Sequence, residues 1–171
     1  NSRIYVLNEN MDTVYQKKVS KASRDAAISN MSLAQILFNM YTEALKTLDV
    51  QDNDISSIYA SGLVTSPFGL KEVMYISVPI SFENYTKEIV PFFEDRFFHR
   101  TINLMPGLRR LEDDFNFVNN VRGEETEVIG LSSKLSEMGI NKALILLPGS
   151  HSQGVFYNNG IIEAFISNYT G

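Results

Sequence analysis

A chain of 171 residues with 44% hydrophobic content and a net charge of −5 is long enough to bury roughly 70% of the surface its unfolded form exposes, so one well-cored domain is expected. The charge comes from interspersed acidic and basic residues rather than from a block of one sign, which argues against a nucleic-acid partner. The lack of cysteine excludes disulfides, Cys-ligated zinc and thiol catalysis, and fits a cytoplasmic location.

The longest apolar runs, such as Ala143 to Pro148, fall far short of the ~20 residues of a membrane-spanning helix, so no membrane partner is expected. Three Asn-x-Ser/Thr triplets, at Asn30, Asn84 and Asn168, read as chance occurrences rather than glycosylation sites. The sequence opens on Asn1 rather than Met and stops at Thr170-Gly171 after a strand-like segment. Both ends are therefore expected to be cuts in a longer protein.

In chain order, Arg3 to Leu7 reads as a strand, Asn8-Glu9-Asn10 as a turn and Thr13 to Val19 as a second strand, which together predict a β-hairpin. A third strand is expected near Asp25 to Ile28. Leu33, Ile36, Leu37, Met40, Tyr41, Ala44, Leu45 and Leu48 then recur at the spacing of one buried helix face. Ser32 with Gln35 forms a capping box at its start, and Met31 is placed to staple onto Ile36.

Three later segments share one design, an apolar strand running into a glycine-containing loop: Ile58 to Gly62, Ile102 to Gly107 and Leu144 to Gly149. Strands alternating with helical stretches predict a largely parallel sheet, in which ligands bind beyond the carboxyl ends of the strands. The three loops are then expected to line one crevice, the alternative being ordinary strand-to-loop turns. A second hairpin is expected at the end, Gly154 to Tyr157 and Ile161 to Ser167, around Asn158-Asn159-Gly160. Two hairpins with helices between them suit a ribonuclease-H-like layout better than a plain doubly wound fold.

The most chemically loaded stretch is Arg122-Gly123-Glu124-Glu125-Thr126, just ahead of the apolar spacing Val128, Ile129 and Leu131. An arginine fork there suits a substrate carboxylate, and a glutamate suits proton abstraction from an attacking hydroxyl. The same acids also suit the positive end of a helix dipole. His151, in Gly149-Ser150-His151-Ser152, reads as a base, a substrate donor or a satisfied buried side chain. No Gly-x-Ser-x-Gly elbow supports a hydrolase, and two histidines without ligand spacing make a transition-metal site improbable. Neither phosphate-cradling glycine fingerprint is present. Phe92, Phe93, Phe97 and Phe98 read as core or as an oligomer contact, which leaves a homodimer open. His99, set among Arg96, Phe97, Phe98 and Arg100, reads as a surface or packing residue.

Taken in order, several segments resemble the 2-dehydro-3-deoxygalactonokinase family of the actin and hexokinase superfamily. Ser61-Gly62-Leu63-Val64-Thr65-Ser66, Gly69, Tyr75 and Pro79 are similar to one family succession, and Pro106-Gly107-Leu108 to its Pro-Gly-Leu. Arg122 to Thr126 matches the family's most distinctive signature, and Pro148 to Ser152 resembles its Pro-Gly-Thr-His-Ser. Phe165 with Thr170-Gly171 resembles the family's later Phe and Thr-Gly-Glu. The resemblance favours a functional role for the pentad.

It implies an α/β, ribonuclease-H-like (actin-like ATPase) domain with a mixed central sheet flanked by helices. Residues 1–171 would be the sugar-binding half of a two-domain kinase, lacking the nucleotide-binding half and inactive alone. The implied reaction moves the γ-phosphoryl of ATP, with Mg²⁺, to the 6-hydroxyl of 2-dehydro-3-deoxy-D-galactonate in galactonate catabolism. The implied residues are Glu125 and Glu124 for catalysis, Arg122, Thr126, Ser61, Gly62, Ser150 and His151 for the sugar acid, and Gly149, Thr170 and Gly171 for the nucleotide, with no protein metal site. Departures exist: Gln153-Gly154 stands where the family has Lys-Trp, and Leu70 where it has Trp. They motivate the alternative of a non-catalytic sugar-acid sensor on the same fold.

Overall fold

The computed structural model describes residues 2–19, 32–110, 119–148 and 151–169, the side chains of His151, Asn168 and Tyr169 excepted. The strand expected near Asp25 to Ile28 and the Met31 staple lie outside the described residues, as do Asp113-Asp114, Gly149, Ser150, Thr170 and Gly171.

β1 (Ser2–Leu7) and β2 (Thr13–Val19) pair antiparallel as the opening hairpin. Helix α1 (Leu33–Leu48) starts where its sequence signals place it, with the Ser32 side chain accepting from the backbone N–H of Gln35 at 3.2 Å, and it ends on Asp49 in the left-handed region. Its spacing buries Ala34, Ile36, Met40, Tyr41 and Ala44. Leu37, Tyr41 and Leu45 pack onto the sheet of β3 (Ile58–Ala60), β7 (Arg100–Leu104) and β6 (Val90–Glu94), whose inward side chains include Ile102 and Leu104. Arg100 ties this layer together, donating to the Tyr41 hydroxyl and the Asp52 carboxylate at 3.0 Å each and to the Ile55 carbonyl at 2.6 Å. Phe98 is buried against Phe38 and Tyr41, Phe93 is exposed, and His99 is exposed with φ of 49°.

A second layer holds β4 (Ile76–Ser77), β8 (Leu108–Arg110) and β9 (Asn119–Val121) in one sheet. β5 (Ile80–Ser81) joins β10 (Lys142–Leu147), β11 (His151–Asn158) and β12 (Ile161–Tyr169) in another. Helices α2 (Phe82–Lys87) and α3 (Glu125–Glu137) complete it. Tyr85, Leu108, Val121, Val128, Ile129, Ile145, Val155, Ile162 and Phe165 form its core. Full burial of side chains such as Ile162 and Phe165 stabilises by about 1.5–3 kcal/mol each.

The fold is a mixed α/β arrangement of several sheets and, among the described residues, three helices. The expectation of a largely parallel sheet is corrected. β3 with β7 and β4 with β8 run parallel, whereas the other described pairings are antiparallel. The reason is connection length: a parallel pair needs a crossover of a dozen or more residues, and only residues 148–150 separate β10 from β11. The final hairpin turns on Asn159 (φ 49°) and Gly160 (φ 81°), the positive-φ pair that a two-residue type I′ turn requires. Among the described residues no helix is long and apolar enough to cross a membrane.

Candidate functional site

Residues 122–124 form the turn that carries β9 into α3, whose first two residues are Glu125 and Thr126. α3 turns Glu125 inward because Glu125, Val128, Ile129 and Ser132 share its buried face at the i, i+3, i+4, i+7 spacing. Glu125 is 0% exposed, and its Oε2 accepts from the backbone N–H of Gly123. Its Oε1 has no hydrogen-bond partner among the described residues. Burial pushes the carboxyl up to about 7, against the opposing pull of its hydrogen bonds to the N–H groups of Glu125 and Gly123. The neighbouring Glu124 carboxylate raises it further, and the Arg122 guanidinium lowers it. The Tyr85 phenol, which donates to the Pro106 carbonyl at 2.9 Å, is likewise pushed up, first by burial and then by the charge of Glu125.

The adjacent carboxylate behaves differently. Glu124 occupies the N-cap of α3, makes no capping hydrogen bond and is half-buried, so it keeps access to solvent. Thr126 donates back to the Gly123 carbonyl at 2.9 Å. Gly123 is thus held at its N–H by Glu125 and at its carbonyl by Thr126, in a backbone conformation (φ 115°) that residues with a Cβ rarely adopt.

Arg122 points the other way. Its Nη1 donates to the Thr65 carbonyl at 2.7 Å and to the Thr65 hydroxyl, its Nη2 donates to the Val73 carbonyl at 3.0 Å, and its guanidinium lies 4.1 Å from the centre of the Tyr75 ring. The fork expected to meet a substrate carboxylate is engaged by the protein's own carbonyls. The segment it grips begins at Ser61 and Gly62, which follow β3 into a 3-10 turn (Gly62–Thr65). Gly62 has φ of 80°, and a side chain added there would point at the Gly123 Cα, 3.6 Å away. The second glycine loop joins them: a Cβ on Gly107 would lie 2.7 Å from the Tyr75 ring and 2.6 Å from the Val121 carbonyl.

Two of the three glycine loops therefore converge with the pentad around Arg122 and Tyr75. His151 is the first residue of β11, opposite Tyr169 in the register, while Gly149, Ser150, Thr170 and Gly171 lie outside the described residues. Sequence patterns alone gave no role to Thr65, Val73, Tyr75 or Tyr85. Thr65 and Tyr75 sit inside the quoted family succession, the available signal, whereas the partners of Val73 and Tyr85 are set by tertiary contacts.

The profile of the 2-keto-3-deoxy-galactonokinase family matches residues 1–171. The chain belongs to that family. A Rhizobium meliloti protein named a probable 2-dehydro-3-deoxygalactonokinase is 28% identical over 114 residues, 67% of this chain. The 2-dehydro-3-deoxygalactonokinase of Escherichia coli is 29% identical over a stretch of the same length. Each match covers 35% of the relative, so the chain matches about a third of the kinases it resembles. A solved Sinorhizobium meliloti structure, described as a candidate 2-dehydro-3-deoxygalactonokinase, superposes with a TM-score of 0.76 at 22% identity, covering 99% of this chain and 51% of that one. Within this match, Arg122 to Thr126 is the segment in which a half-buried Glu124 precedes a fully buried Glu125.

Proposed function

We propose that this chain is the sugar-acid-binding part of a two-domain kinase that phosphorylates 2-dehydro-3-deoxy-D-galactonate at its 6-hydroxyl, in the cytoplasm. The ribonuclease-H-like layout of the actin superfamily is the finer fold reading that accompanies it. The membership of the chain in the galactonokinase family and the fold it shares with a solved relative support both. The observation that supports the chemistry is the contrast in burial at the start of α3, where Glu124, making no capping hydrogen bond, is half-buried beside a fully buried Glu125.

A general base must come within hydrogen-bond reach of the proton it takes, and of the two carboxylates Glu124 is the half-buried one and Glu125 the 0% exposed one. Glu124 is assigned to accept the proton of the 6-hydroxyl as that oxygen attacks phosphorus. Glu125 acts through Gly123, fixing the turn that aims Glu124. Ser61 and Gly62, the latter set against Gly123, form the adjoining wall for the sugar acid, and Ser150 and His151 are proposed, from their place in the sequence motif, as further polar contacts to it. Bound ATP, carrying Mg²⁺, supplies the γ-phosphoryl group and leaves as ADP. Gly149, Thr170 and Gly171 suit phosphate by their chemistry, since small residues with N–H and hydroxyl donors allow close approach.

The test is coupled ADP release by the complete gene product with 2-dehydro-3-deoxygalactonate. Saturable turnover that drops at least 100-fold in Glu124→Gln, in line with the ~10²–10⁴-fold contribution of a general base, is expected. Absence of turnover with this acid in a folded, ATP-binding protein would remove the substrate assignment.

A further inference from the structure

Arg122, Thr65, Gly62 and Gly123 form a closed circuit. The Arg122 guanidinium donates to the Thr65 hydroxyl, and that hydroxyl donates to the Gly62 carbonyl at 3.0 Å. Gly62 in turn abuts Gly123, the residue bonded to Arg122. Thr65 is 0% exposed, and its side chain has no other hydrogen bond among the described residues. The segment beyond it is tied down as well: Leu70 N–H donates to the Val64 carbonyl at 2.7 Å, and Val73 N–H to the Thr65 carbonyl at 2.9 Å. Arg122 also grips the Val73 carbonyl and lies on Tyr75, so one guanidinium binds both ends of residues 65–75.

We infer that Thr65 and Arg122 are positioning residues, a latch that sets the distance between the Ser61-Gly62 wall and the Gly123-Glu124 turn, and that neither contacts the substrate carboxylate. A hydroxyl at residue 65 is required because it must accept from Arg122 and donate to Gly62 at once, which Ser does and Val does not. The kinetic part of this inference rests on the kinase reading; the structural part does not.

Two measurements on the complete gene product separate the two. In hydrogen–deuterium exchange, Thr65→Val is expected to speed exchange at the amides of Leu70 and Val73 at least tenfold, leaving α3 and β11–β12 unchanged, and Thr65→Ser to restore protection. Unchanged exchange at those amides in Thr65→Val, or equal acceleration throughout the chain, overturns the latch whatever the enzyme's substrate. In coupled ADP release, Thr65→Val is expected to lower kcat at least tenfold with KM within threefold, and Thr65→Ser to recover it, because a misplacement of ~1 Å at a reacting group costs up to about 100-fold. Arg122→Lys is expected to lose the same factor with the free sugar acid and with its uncharged methyl ester. A loss confined to the free acid would make Arg122 a carboxylate ligand and overturn the positioning role. Absence of turnover in the wild type would remove the substrate assignment and leave the exchange experiment to decide the latch.

Discussion

Replacing Glu125 by Gln isolates the energy of a buried carboxyl. The wild-type group titrates at about 7 in the fold, against 4.5 ordinarily. Below pH 4.5 the folded and unfolded chains both hold the proton, and the group contributes nothing to pH dependence. Between 4.5 and 7 the folded state binds more protons than the unfolded state, so stability falls as pH rises. Above 7 both states are ionised and the full penalty stands, about 3 kcal/mol at 1.36 kcal/mol per pH unit of displacement. Gln keeps a carbonyl oxygen for the Gly123 N–H and cannot ionise. In urea unfolding followed by the fluorescence of the eight tyrosines, the stability of wild type relative to Glu125→Gln should drop by about 3 kcal/mol from about pH 4.5 to about pH 8. The pH dependence of groups that do not interact with Glu125, including the lowered carboxyls of Glu94 and Asp52, cancels in that difference. A difference that is flat with pH, or that rises, would refute the burial of a neutral carboxyl at the start of α3.

Other perturbations probe the frame around the site, each read by thermal or denaturant unfolding. Gly69→Ala places a Cβ 2.0 Å from the Val64 carbonyl oxygen, with only backbone there to yield, and should cost at least about 2 kcal/mol. Gly130→Ala, in the exposed middle of α3 with nothing within 4 Å of the new methyl, should stabilise by about 0.5–1 kcal/mol. Glu94→Ala leaves the half-buried Phe97 N–H and the buried Phe98 N–H without the carboxylate they reach at 2.8 and 2.9 Å, a loss of about 1–3 kcal/mol.

The sequence was most legible where one local rule suffices. The stripe of α1 and its Ser32 cap, and the Asn159-Gly160 turn, follow from periodicity and positive φ alone. Strand direction was misjudged because it depends on which strands neighbour each other, and the short 95–99 and 148–150 connections return the chain antiparallel. At the site, Val128 and Ile129 of the expected apolar spacing are buried, whereas Leu131 is exposed and Ser132 shares the buried face with Glu125. The engagement of Arg122 was not readable, since the fork that suits a carboxylate also suits carbonyls, and its acceptors lie 57 and 49 residues away in the chain.

Turnover by Glu124→Gln beside wild type, with 2-dehydro-3-deoxygalactonate and ATP supplied to the complete gene product, tests the assignment of the half-buried carboxylate most directly. A saturable wild-type rate and a loss of at least about 100-fold in the variant are expected; a variant turning over nearly as fast as wild type would contradict the assignment.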